Sequence, residues 1–132
     1  MAALPDRCEV VVIGGGVIGV SVAYHLAEAG IQDVVLLERK ELTSGTTWHA
    51  AGLVGQLRTS INMTQLARYT SQLYRGLEED TGQATGYRQC GSISIAATAE
   101  RFEELKRSAS MAKVLGVEVK VLSVAEVAER CP

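Results

Sequence analysis

Glu9-Val10-Val11-Val12-Ile13-Gly14-Gly15-Gly16-Val17-Ile18-Gly19 is the stretch on which the fold turns. Residues 9–13 form a short β-branched run ending in three glycines, which predicts a buried strand. From Gly16 to Ala29 the composition becomes helical. Val20, Ala23, Tyr24 and Ala27 recur at three- and four-residue steps, and Gly30 suits the C′ position. Asp33 to Glu38 is a second apolar run. The first 38 residues therefore read as one βαβ unit with a parallel strand pair, which makes the class α/β and Rossmann-like.

Gly14, Gly16 and Gly19 satisfy the pattern G-x-G-x-x-G, and each glycine has a physical task. The first permits a tight turn out of the strand. The second lets a pyrophosphate approach the backbone, and the third lets helix and strand pack closely. Phosphate groups would then face free N–H groups at the positive end of the helix dipole. Glu38 lies 19 residues beyond Gly19, the spacing of a ribose-binding carboxylate. A carboxylate there accepts hydrogen bonds from both ribose hydroxyls and repels a 2′-phosphate, which argues against NADP. Ala23 and Gly30 add small residues where helix and strand must approach.

Up to Glu38, NAD and FAD fit equally well. The next segment breaks the tie. A plain NAD module tends to continue with another βα unit, whereas here Glu41-Leu42-Thr43-Ser44-Gly45-Thr46-Thr47-Trp48-His49-Ala50-Ala51-Gly52-Leu53 follows. Its hydroxyls and glycines suit a chain that runs along an extended cofactor. His49 is eleven residues past Glu38, and an extended chain of that length spans up to about 36 Å. That distance reaches past a pyrophosphate to the far ring of a dinucleotide. Residues 39–60 show no sustained period, and a stretch of that length inside a domain is usually functional or disordered. The interspersed Trp48, Ala50, Ala51, Leu53 and Val54 argue against disorder.

Further along, Asn62 with Gln65 resembles a capping box, followed by a helix face of Leu66, Tyr69, Leu73 and Leu77 that ends near Gly82. Ser92 to Ala97 alternates, with Ile93 and Ile95 on one face, and predicts a strand. Ala99 to Leu115 reads as a helix with Phe102, Leu105, Ala109 and Ala112 as its stripe, closed by Gly116. Val117, Val119 and Val121 alternate again, and Ser123 with Glu126 is a capping box for a last short helix. No internal repeat, low-complexity tract or long charge run is present.

Composition narrows the class. The 132 residues amount to one domain's worth of chain, 47% hydrophobic, with 13 basic and 15 acidic side chains and a net charge of −2. That balance carries no electrostatic footprint for nucleic acid, and the apolar content disfavours disorder. Cys8, Cys90 and Cys131 are far apart, odd in number and without a CxxC pair, so neither a zinc site nor a dithiol motif is readable and no metal is expected. They read as reduced thiols in a cytoplasm-like compartment, with Cys90 a small buried hydrophobe. The longest apolar run, 10–23, is too short to span a bilayer and is broken by glycines. Asp6, Arg7 and Glu9 ahead of it sum to −1, which argues against a signal peptide despite Ala27-Glu28-Ala29.

The glycine pattern, Val35-Leu36-Leu37-Glu38 and Leu42-Thr43-Ser44-Gly45-Thr46-Thr47-Trp48-His49-Ala50-Ala51-Gly52 resemble the start of the dimethylglycine and sarcosine dehydrogenase family. These are D-amino-acid-oxidase-like flavoenzymes. The resemblance continues through Leu77-Glu78-Glu79-Asp80-Thr81-Gly82 and Gly91-Ser92-Ile93-Ser94-Ile95-Ala96, so it covers nearly the whole chain. It implies an N-terminal part of an FAD-binding domain over residues 1–82 and the incomplete start of an α+β substrate domain over 83–132. Cofactor contacts then fall on Gly14, Gly16, Val17, Ile18, Gly19, Glu38 and Arg39, and on Gly45, Thr46, Thr47, Trp48, His49, Ala50, Ala51, Gly52 and Leu53. In that family the histidine of the T-W-H segment carries the flavin covalently, which by resemblance is His49. A neutral imidazole nitrogen is nucleophilic enough to attack the 8α-methyl carbon of the flavin.

The implied activity is oxidative demethylation of a small N-methyl amino acid of the sarcosine or dimethylglycine type. A hydride passes to flavin N5, and electrons leave through an electron-transfer flavoprotein or oxygen. Tetrahydrofolate would bind only in a C-terminal region that this chain lacks. The expected place is a bacterial cytoplasm, or the mitochondrial matrix for a processed eukaryotic protein. The chain is read as an N-terminal fragment, inactive alone and poorly soluble without a partner, because parallel strands need cover on both faces. Two alternatives stay open: a non-catalytic relative resembling the pyruvate dehydrogenase phosphatase regulatory subunit, and an unrelated NAD-binding module. His25 sits within the first helix and reads as structural, Trp48 as cofactor-facing or core, and Arg58 as a surface arginine or a partner for a substrate carboxylate.

Overall fold

The computed structural model describes residues 4–131, which fold as two compact units, one up to Leu53 and one from Val54 onward. In the first unit, strand β1 (Val10–Ile13), helix α1 (Val17–Glu28) and strand β2 (Val34–Leu37) make the expected βαβ arrangement. The strands run parallel in the register Val10↔Val34 to Ile13↔Leu37. The ladder is extended at both ends. Asp33 accepts the Val10 N–H at 3.1 Å, and Leu37 accepts the Gly14 N–H at 2.8 Å. Helix α1 packs on both strands, and the buried Val12 lies beneath it. Gly30, at a φ of +87°, ends the helix in the left-handed conformation that glycine adopts without a steric cost.

The second unit holds α2 (Ile61–Thr81), α3 (Ala99–Val114) and α4 (Val124–Arg130). Helix α2 begins at Ser60, whose hydroxyl accepts the Met63 N–H, and ends at Gly82 in the left-handed conformation. The cap is thus Ser60 and not the expected Asn62, which lies inside the helix. A serine one residue before the first helical position satisfies an orphan N–H, and Asn62 comes too late to do so. Helix α4 carries the expected capping box between Ser123 and Glu126.

Side chains tie these helices to their surroundings. Arg68 on α2 donates to the Leu115 carbonyl at the end of α3 at 2.8 Å. The fully buried Ser71 meets the Tyr87 hydroxyl at 2.7 Å and the Gln56 amide at 3.1 Å. Ala109 and Ala112 are buried on α3.

Two expected strands are absent. Residues 92–97 and 117–121 are irregular, and among the described residues β1 and β2 make up the whole sheet. Alternation marks a segment able to pair, but a strand exists only through hydrogen bonds to a neighbouring strand, and among the described residues no strand pairs with either segment. Cys90 is exposed and not buried, for want of the same strand packing, and the three thiols are unpaired.

Candidate functional site

The glycine turn between β1 and α1 organises the first unit. Gly14 has a φ of +105°, a conformation that turns the chain sharply out of β1. A Cβ at Gly19 would lie 1.8 Å from the Gly14 carbonyl oxygen, so this position admits only glycine at the present helix–strand spacing. A Cβ at Gly16 would stand 3.0 Å from Thr47 Oγ1. The turn at Gly14 and the close packing at Gly19 are as expected, and the close approach at Gly16 is made by Thr47.

Two side chains from later in the chain close on this turn. Glu38, directly after β2, accepts the Gly15 N–H through Oε2 at 2.8 Å and the Lys40 N–H through Oε1 at 2.9 Å. These N–H donors, Gly15 foremost, hold its carboxyl below the usual glutamate range, and the neighbouring Arg39 adds to the effect. Thr47 Oγ1 accepts the Val17 N–H at 2.9 Å. It acts as a tertiary cap on α1, whose own N-cap, Gly16, has no side chain to offer. The Thr43 N–H donates to the Gly15 carbonyl at 2.9 Å, and Thr43 takes a φ of +65°. A β-branched residue rarely adopts that conformation.

Thr46–His49 form a single 3-10 turn, preceded by Gly45. The Ala50 N–H bonds back to the Thr47 carbonyl at 3.2 Å. His49 is exposed, and its ring lies against Trp48 with centroids 4.2 Å apart and planes tilted by 34°. Trp48 is also exposed and fills no core. Val17 and Ile18 open α1 with exposed side chains, and Arg39 is exposed beside Glu38. Gly14, Gly16, Val17, Gly19, Glu38 and Thr47 are therefore brought together. Ala51, Gly52 and Leu53 continue as exposed loop.

Residues absent from the sequence-based set also take part. Gly15 is buried, and a Cβ there would approach Leu42 Cδ2 to 2.5 Å and Glu38 Cβ to 3.0 Å. The signal for it was a glycine at a position where the motif tolerates any residue. Leu42 and Thr43 gave no such signal, since only the folded loop carries them back to the turn. His25 has its Nδ1 2.7 Å from the Ser21 carbonyl, one helical turn earlier. Arg58 belongs to the second unit. Its N–H donates to the buried Thr64 Oγ1 at 3.0 Å, and that hydroxyl donates to its carbonyl at 3.2 Å. With Arg107, Glu104, Met63 and Met111, Arg58 lines a cleft of about 590 Å³. Among the described residues there is no group of three or more potential metal ligands, and no helix long and apolar enough to cross a membrane.

A model of the FAD dependent oxidoreductase family matches residues 9–132. The chain belongs to that family. Dimethylglycine dehydrogenase, mitochondrial, from Rattus norvegicus is 55% identical over 101 residues, covering 76% of this chain and 12% of the relative. Sarcosine dehydrogenase, mitochondrial, from Mus musculus is 51% identical over 124 residues, covering 93% and 14%. The pyruvate dehydrogenase phosphatase regulatory subunit, mitochondrial, from Mus musculus is 45% identical over 130 residues, covering 98% and 15%. The chain thus spans 12–15% of the length of these curated relatives. Among solved structures, an L-amino acid deaminase from Proteus vulgaris matches 98% of this chain and 31% of its own, with a TM-score of 0.85 at 22% identity. With the family match, that likeness establishes the fold of the FAD dependent oxidoreductases.

The family's cofactor fits the residues present. The glycine turn leaves open space at Gly14, the start of α1 follows it directly, and Glu38 stands at the turn as a hydrogen-bond acceptor.

Proposed function

We propose that this chain is the flavin-attaching part of an amine dehydrogenase or oxidase that demethylates a small N-methyl amino acid of the sarcosine or dimethylglycine type. The observation that carries the reading is the junction of the glycine turn, Glu38 and the Thr46–His49 turn. It sets a nucleophilic histidine two residues from a side chain capping α1. Residues 1–82 would belong to the FAD-binding domain and 83–132 to the opening of a substrate domain. FAD, when bound, supplies a two-electron acceptor for a C–H bond next to nitrogen.

The chain's own residues have defined roles in this reading. Gly14, Gly16, Val17, Ile18 and Gly19 would line the pyrophosphate, with the Val17 N–H itself already held by Thr47. Glu38 keeps the charge needed to accept ribose hydroxyls, because the Gly15 N–H stabilises its ionised form. Arg39 and the run from Gly45 to Leu53 would follow the cofactor toward its ring, with the Thr47 hydroxyl turned to the start of α1 instead. His49 contributes a ring nitrogen as the covalent anchor. Electrons would leave to an electron-transfer flavoprotein or oxygen. Folate, if used, would bind outside this chain. The names of the relatives place those proteins in mitochondria, and a matrix location or a bacterial cytoplasm suits the same chemistry.

A regulatory role is the second reading, favoured by the 45% identity to the phosphatase regulatory subunit over nearly all of the chain. One experiment separates the two. The holoprotein is denatured in acid, the pellet washed, and its peptides mapped by mass. Flavin on the His49 peptide, together with bleaching of flavin absorbance by sarcosine or dimethylglycine, is the expected outcome. Flavin in the supernatant removes His49 from its role, and bound flavin indifferent to every N-methyl amine transfers the reading to regulation.

A further inference from the structure

Helix α1 begins without a side-chain cap of its own, because Gly16 has none to give. The Val17 N–H is instead accepted at 2.9 Å by Thr47, 30 residues later in the chain. Thr47 is half-buried, whereas Thr46, Trp48 and His49 around it are exposed. It therefore anchors a turn that otherwise faces solvent. The Ala50 N–H bonds to the Thr47 carbonyl at 3.2 Å, so the backbone after His49 is tied to the same residue. The Trp48 ring lies 4.2 Å from that of His49. A Cβ at Gly16 would crowd Thr47 Oγ1 at 3.0 Å, so the glycine is also what lets the hydroxyl come this close.

We propose that Thr47 is a positioning residue for flavin attachment: its hydroxyl, bound to the start of α1, holds the Thr46–His49 turn so that the His49 ring meets the flavin in one fixed register. The inference rests on the reading of His49 as the attachment site. In that step His49 gives up its ring N–H proton and gains a bond to the 8α carbon. The 8α carbon loses one proton, and the electron pair left behind passes through the flavin to dioxygen. Such a bond forms quickly only from a near-attack arrangement, and a misplacement of about 1 Å costs on the order of a hundredfold in rate. Thr47 does not touch the reacting atoms in this account; it fixes where they stand.

The test compares the wild-type holoprotein with Thr47→Val and Thr47→Ser, each reconstituted with FAD. Two quantities are read: the rate at which flavin becomes acid-stable on the His49 peptide, and the affinity for FAD before linkage, from flavin fluorescence. Valine keeps the size and removes the acceptor; serine keeps the acceptor. The expected result is linkage slowed roughly ten- to a hundredfold in Thr47→Val, near wild-type in Thr47→Ser, with prior FAD affinity changed far less than the rate. Equal linkage rates in all three proteins overturn the positioning role. An equal loss of affinity and rate in Thr47→Val also overturns it, because the hydroxyl would then serve cofactor binding as a whole and not the attachment step. Should Thr47→Val fail to fold, slow linkage in a folded Thr47→Ser overturns it as well. A wild-type protein that never links flavin at His49 refutes the underlying reading, an outcome distinct from the others.

Discussion

A methyl group at Gly19 would sit 1.8 Å from the Gly14 carbonyl oxygen, so Gly19→Ala must force α1 away from β1. Overpacking of this kind costs about 1–3 kcal/mol. The expected outcome is a lower urea midpoint together with weaker FAD binding. Glu38 makes a prediction about pH. Its folded pKa lies below its unfolded value, because the Gly15 N–H and then the Lys40 N–H stabilise the carboxylate. Its contribution to stability is therefore complete above the ordinary glutamate range, about 4.3. It is lost as pH falls through the lower folded value. A carboxyl NMR titration of Glu38 should show a midpoint below that of an exposed glutamate, and Glu38→Gln should abolish this part of the acid dependence. The carboxylate was legible from its spacing alone. Its bond to Gly15 was not, because nothing local marks the middle glycine as a donor to a side chain 23 residues away.

Helix ends depend on the register of a few neighbouring residues. Ser60 caps α2 by accepting the Met63 N–H at 3.3 Å, so Ser60→Ala should cost about 1 kcal/mol in chemical denaturation. Asn62→Ala, inside the helix and exposed, should change stability by less than about 0.5 kcal/mol. The reverse order would restore Asn62 as the cap. The capping box of Ser123 and Glu126 was read correctly because both halves of that motif lie within one turn. The strands expected at 92–97 and 117–121 were misread for the opposite reason. Ile95 is 78% exposed, so its alternating pattern has no facing surface to bury against. A strand is a property of two segments, and a helix start is a property of one.

The described residues bury few apolar side chains: Val12, Ala109 and Ala112. Ile13 on β1, Ile18 on α1 and Val114 on α3 stand open to solvent, at 85%, 79% and 83% exposure. The open faces on β1 and α1 belong to a parallel sheet, a kind that is normally covered on both faces. The 132-residue chain alone should therefore bind a hydrophobic dye and unfold over a broad temperature range. FAD at a hundred times its dissociation constant should stabilise the chain by about 2.7 kcal/mol if the glycine turn is its site. A sharp monomeric transition without FAD and without dye binding would show that the exposed faces need no partner.

The βαβ unit could be written down from residues 9–38, since strand composition, helical period and the steric tolerance of glycine act over a few residues. The family was legible there and in residues 42–52, where an ordered string of small, hydroxylated and ring-bearing residues is too specific for chance. Folding added the contacts that bridge long separations: Glu38 on Gly15, Thr47 on Val17, Ser71 on Tyr87 and the parallel register of Val10 with Val34. These depend on which donors, of backbone or side chain, are left unsatisfied after the local bonds have formed. Only the closed loop brings an acceptor to each of them, so no reading of neighbouring residues could have paired them.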